Sequence, residues 1–137
     1  MSAAGAAVIA SACALLSAGP AFACGEKLGG PARTIESARY TVVYKSVPDP
    51  IETGRHFSLE FVVCPHGNAV APDAVRVDAV MPLHRHGMNY RSIVVASGGG
   101  SYRADGLMFH MPGRWDVTFD LATAAGSERM TASIELE

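Results

Sequence analysis

The chain has 137 residues, with 11 Lys plus Arg against 13 Asp plus Glu and a formal net charge of -2. That near-neutral balance, with basic residues scattered rather than gathered into a stripe interleaved with aromatics, argues against a nucleic-acid partner. The length suits one small domain and is too short for two.

The first segment carries the features of an export signal. Val8 to Leu16 is a short apolar run without charge, followed by Ser17-Ala18-Gly19-Pro20 and then Ala21-Phe22-Ala23, an A-x-A cleavage pattern. The run is too short to span a bilayer as a stable helix, and Met1 to Ala7 before it contains no Lys or Arg. We read residues 1–23 as a signal peptide and the mature chain as periplasmic or secreted, starting at Cys24. Lipid anchoring at Cys24 is the less favoured variant, because Ala21-Phe22-Ala23 lacks the aliphatic and small residues usual before a lipidated cysteine. No apolar segment of membrane-spanning length follows.

Cleavage there removes Cys13 and leaves Cys24 and Cys64, an even number in an oxidising compartment, which predicts a disulfide between them. The competing reading makes Cys64-Pro65-His66 half of a metal site. It ranks lower, since a thiolate outside the cytoplasm oxidises unless a metal holds it. Residues 24–38, rich in Gly, Ala and Ser, read as an extended N-terminal arm tethered through Cys24.

From residue 39 onward apolar and polar residues alternate with period two, the signature of half-buried strands. Tyr40, Val42 and Tyr44 oppose Thr41, Val43 and Lys45; Phe57, Leu59, Phe61 and Val63 oppose Ser58, Glu60 and Val62. Val75, Val77 and Ala79, then Trp115, Val117, Phe119 and Leu121, then Met130, Ala132, Ile134 and Leu136, repeat the pattern. Turn formers separate the runs: Pro48-Asp49-Pro50, Pro65-His66-Gly67-Asn68, Pro72-Asp73, Gly98-Gly99-Gly100, Pro112-Gly113 and Gly126-Ser127. With Tyr90 to Ala96 and Tyr102 to Met111 added, about seven strands result, the profile of an immunoglobulin-like antiparallel β-sandwich over residues 39–137. Trp115 reads as its core anchor.

Chemistry concentrates in Met81-Pro82-Leu83-His84-Arg85-His86-Gly87-Met88 and, further on, Met108-Phe109-His110-Met111. Imidazole and thioether together are a ligand set for copper, two imidazoles suiting Cu(II) and added thioether favouring Cu(I). His84, His86, Met88 and His110 form the ranked ligand set, with Met81 and Met111 as substitutes from positions suited to the core. Strand parity carried back from Trp115 through the Pro112-Gly113 turn puts Leu107, Phe109 and Met111 inward and Met108 and His110 outward. The bland reading stands beside the copper one: methionines next to strands fill cores, and a His-x-His loop closed by glycine is a polar turn. Zinc on His84, His86 and His110 would leave the methionines without a role. Blue-copper electron transfer is disfavoured because no cysteine follows Cys64. His56 reads as a solvated strand-edge residue and His66 as part of a polar turn.

Met81-Pro82 leading into His84-x-His86-Gly87-Met88, then a Gly-rich turn with Tyr102, then Gly106-Leu107-x-Phe109-x-Met111-Pro112-Gly113-x-Trp115 resembles the YtkA-like domain of bacterial exported proteins over roughly residues 39 to 137. The resemblance implies a sandwich similar to copper-resistance domains. It also implies a setting among copper-handling or respiratory-oxidase assembly proteins, from which a partner would come.

Two functions follow as expectations. The first is an exported, non-enzymatic copper carrier or buffer with copper as its cofactor. The second is a metal-free sandwich that binds a partner protein through its Met/His tip, since methionine-rich surfaces suit adaptable contacts. An enzyme is not expected, as neither a His-Glu-x-x-His helix nor a Gly-x-Ser-x-Gly elbow is present.

Overall fold

In the computed structural model Met1 and residues 23–137 are described. The expected signal peptide, residues 1–23 with Cys13 inside it, therefore lies outside the described residues except at its two ends. Among the described residues no helix is long and apolar enough to cross a membrane.

Among the described residues nine strands follow one 3-10 turn, Glu26–Leu28: β1 Arg33–Glu36, β2 Tyr40–Val47, β3 His56–Pro65, β4 Ala74–Met81, β5 His86–Gly87, β6 Ile93–Gly98, β7 Ser101–Met108, β8 Gly113–Thr123 and β9 Gly126–Leu136. They form two antiparallel sheets, one in the order β1-β2-β3-β7-β6 and the other β5-β4-β8-β9. This is the expected antiparallel sandwich. The count exceeds the expected seven because β1 falls inside the segment read as a plain arm, and because β5 is a two-residue bridge too short to show a period.

The alternation read from sequence sets the core. Val42, Phe61, Leu107, Phe109, Trp115, Val117 and Phe119 are fully buried between the sheets, and Val75, Val77 and Ala79 point inward from β4 while Arg76 and Asp78 remain exposed. Rings interlock across the gap: Phe61 meets Phe119 edge-on at 5.1 Å and Phe109 stacks on Trp115 at 4.7 Å. Such pairs add to the area they bury.

The polar partners on β2 depart from the simple pattern. Thr41 and Val43, expected on the solvent face, are buried, because the N-terminal arm folds over that face. Lys45 Nζ donates to the Leu28 carbonyl at 2.7 Å, and a Cβ on Gly25 would lie 2.6 Å from that of Val43. A disulfide joins Cys24 to Cys64 on β3, with 6.0 Å between their Cα atoms, and fixes the arm in place. His66 is also more than a polar turn residue, since its Nε2 lies 2.6 Å from the Thr41 hydroxyl.

Four connections gather at the opposite end of the sandwich: the segment 48–55 between β2 and β3, the β4–β5 turn over 82–85, the β5–β6 link over 88–92 and the β7–β8 link over 109–112. The last two cross from one sheet to the other.

Candidate functional site

The β4–β5 hairpin presents two of the expected ligands. Met81 and Val80 pair with His86 and Gly87, and the turn between them is closed by bonds from the His84 and Arg85 amides to the Met81 carbonyl. Arg85 takes φ 53°, the left-handed conformation a non-glycine residue adopts at a cost of about 1–2 kcal/mol. That twist sends the chain back so that His84 and His86 leave the turn close together, their ring centroids 5.8 Å apart and their planes 24° from parallel.

The β7–β8 link brings the third imidazole. Leu107 and Phe109 are fully buried, which turns Met108 and His110 to the other side, half-buried. The His110 ring lies 5.0 Å from His86. Both rings stand edge-on to Trp115, at 5.4 Å for His110 and 6.0 Å for His86. Trp115 is thus a wall of the histidine cluster as well as a core anchor, and its Nε1 donates to the Met111 carbonyl at 3.0 Å, holding the link in place.

The nitrogens differ in their partners. His86 Nδ1 lies 3.2 Å from the Gly87 carbonyl; a carbonyl only accepts, so Nδ1 donates there and Nε2 is the nitrogen left to act as a ligand. His110 Nδ1 is buried without a hydrogen-bond partner, and an orphaned buried polar atom calls for a physical reason. Two imidazoles that share an ion at about 2.0 Å each place their ring centroids about 4.5–6.5 Å apart. Both spacings in the cluster fall in that window. Among the described residues, however, no set of three or more His, Cys, Asp or Glu side chains is arranged to hold a metal, so a thioether would have to complete any such site.

The methionines divide. Met88 is half-buried and packs against the core, its amide bonded to the Ala79 carbonyl. Met111, expected inward, is only partly buried against the core. Met81 is 2% exposed and its methyl lies 3.2 Å from where a Gly113 Cβ would stand, so its place in the packing is that of a core residue.

A neighbouring pair escaped the sequence reading. His56 on β3 is the cross-strand partner of Met108 on β7, and the exposed His56 ring meets Tyr90 edge-on at 4.8 Å. Only the β3–β7 register, which the two separate runs do not encode, brings these residues together. Around the cluster Leu83 is 84% and Tyr90 47% exposed, and neither Arg85 nor Arg91 has an acidic partner among the described residues.

A model of the YtkA-like family matches residues 35–120, most of the sandwich. Among solved structures, this chain is similar to a DUF4426 family protein from Pseudomonas aeruginosa PAO1, at 13% sequence identity and a TM-score of 0.52, over 77% of this chain and 94% of that one. That likeness concerns the fold alone. The comparison with curated proteins returned no match.

Proposed function

Since the chain belongs to the YtkA-like family, we propose that it is an exported, non-enzymatic copper-handling protein, a carrier or buffer, that binds the ion through two imidazoles drawn from His84, His86 and His110 together with the Met88 thioether. The observation that carries this reading is the gathering of three imidazoles, with the His84 and His110 rings 5.8 Å and 5.0 Å from that of His86 and His110 Nδ1 buried without a partner. Mixed imidazole and thioether donors hold copper in both oxidation states, which suits a carrier. The Cys24–Cys64 disulfide is compatible with the periplasmic or secreted setting that we propose with it.

Titration with Cu(II) and Cu(I) tests the reading. Replacing His84 and His86 by Ala abolishes Cu(II) binding, whereas Met88→Leu, close in volume, weakens Cu(I) more than Cu(II) and preserves the fold. Cu(II) affinity in the double variant equal to that of the parent refutes the site.

One observation favours a second reading, a protein-interaction module without metal. The tip that carries the histidines also exposes Leu83, Tyr90 and Val80, and apolar side chains grouped at one end suit a partner surface. A partner from copper handling or respiratory-oxidase assembly would satisfy both readings.

A further inference from the structure

We infer that His56 and Met108 form a second soft-metal site, a two-donor pair beside the histidine cluster from which an ion passes to His110. Residues directly opposite in an antiparallel pair have Cβ atoms about 4.5–5.5 Å apart and share a face. His56 and Met108 are such partners. Their neighbours Phe57 and Leu107, also partners, are buried in the core, so His56 and Met108 lie on the solvent side of the same sheet. At that spacing an imidazole nitrogen and a thioether sulfur reach one ion between them, and that donor pair favours Cu(I) or Ag(I) over harder cations.

The surroundings set the order of use. His56 is exposed and the edge-on Tyr90 ring limits its motion, while Met108 is half-buried. His110, two residues beyond Met108, lies beside the His86 ring. The donors thus run from an exposed imidazole through a half-buried thioether to His110 and His86, both half-buried. With fewer donors than the cluster, the pair releases its ion more readily. The inference deepens the copper-handling reading by naming the supply route to the same site, yet binding at the pair does not require the cluster.

Silver(I) titration of protein carrying 13C-labelled methionine methyls tests it, with Met108 assigned through Met108→Leu. In the His84→Ala/His86→Ala variant the Met108 methyl resonance moves on adding Ag(I), and the movement is lost when His56→Ala is added. In the parent the Met88 methyl moves at lower silver than that of Met108. A Met108 methyl that stays in place while Met88 moves in the parent overturns the second site and leaves the cluster standing. If Met108 moves and Met88 does not, the cluster reading fails and the pair survives. Movement of Met108 undiminished by His56→Ala also overturns the pair, because a thioether alone then accounts for binding. His56 is exposed and Leu replaces Met at similar volume, so each variant keeps the fold, which far-ultraviolet circular dichroism checks.

Discussion

Trp115 shows how one side chain serves two purposes. It is fully buried, stacks on Phe109, and faces His86 and His110 edge-on. Trp115→Ala would open a cavity among rings that cannot collapse into it, and we expect a loss of about 3–5 kcal/mol in denaturant unfolding; unchanged stability would contradict the packing. The core role was legible in sequence because Trp115, Val117, Phe119 and Leu121 alternate cleanly. The contact with the histidines was not, since it depends on a link between sheets. Parity carried backward also placed Leu107 and Phe109 in the core and Met111 partly against it.

Among the elements, the β6–β7 hairpin makes the sharpest demand on its residues. Gly98, Gly99 and Gly100 all have positive φ, but only Gly100 is also crowded, as a Cβ there would lie 2.7 Å from the Val63 carbonyl oxygen. The Val63 amide donates to the Gly100 carbonyl at 2.8 Å, so neither backbone can retreat without losing that bond. Gly99 has open space around it. Gly99→Ala is therefore expected to cost only the left-handed strain of about 1–2 kcal/mol, and Gly100→Ala distinctly more, measured by the shift in thermal midpoint. Equal costs would show that the close approach to β3 is unimportant. The glycine run announced this turn, but nothing in the run says which glycine meets the neighbouring strand. The same limit hid β1 and the His56–Met108 pair: a short strand has no visible period, and register is a property of two segments.

For the molecule as a whole, the bond between Cys24 and Cys64 closes a separation of 40 residues. On the chain-entropy account such a loop contributes about 4 kcal/mol, so reduction should lower the thermal midpoint and free the arm over Thr41 and Val43. Reduction without change in midpoint would rule this out. Even cysteine count foretold the bond, whereas the burial of Val43 beneath the arm needed the folded chain. Acid stability follows from the surface carboxylates. The Ser133 hydroxyl and then Arg114 hold Asp116 below the usual carboxylate range, Arg129 does so for Asp120, and the Ser58 hydroxyl, then Arg103, for Asp105. Groups whose pKa falls on folding lend stability that is complete above their unfolded value of about 4 and vanishes as pH drops through the folded value. These groups are partly exposed to solvent, which screens them, so the effect is modest. Thermal unfolding should show a midpoint that declines below about pH 4, and a flat profile to pH 2 would contradict it. The two links that pass between sheets at the histidine-bearing end have a different consequence. Met88 lies on one and His110 on the other, so their relative position is set only while the sandwich is closed. An ion bound at the proposed site would bind the native state alone and act as a removable fastener, with unfolding free energy rising by about 1.4 kcal/mol for each tenfold increase in free ion above its dissociation constant.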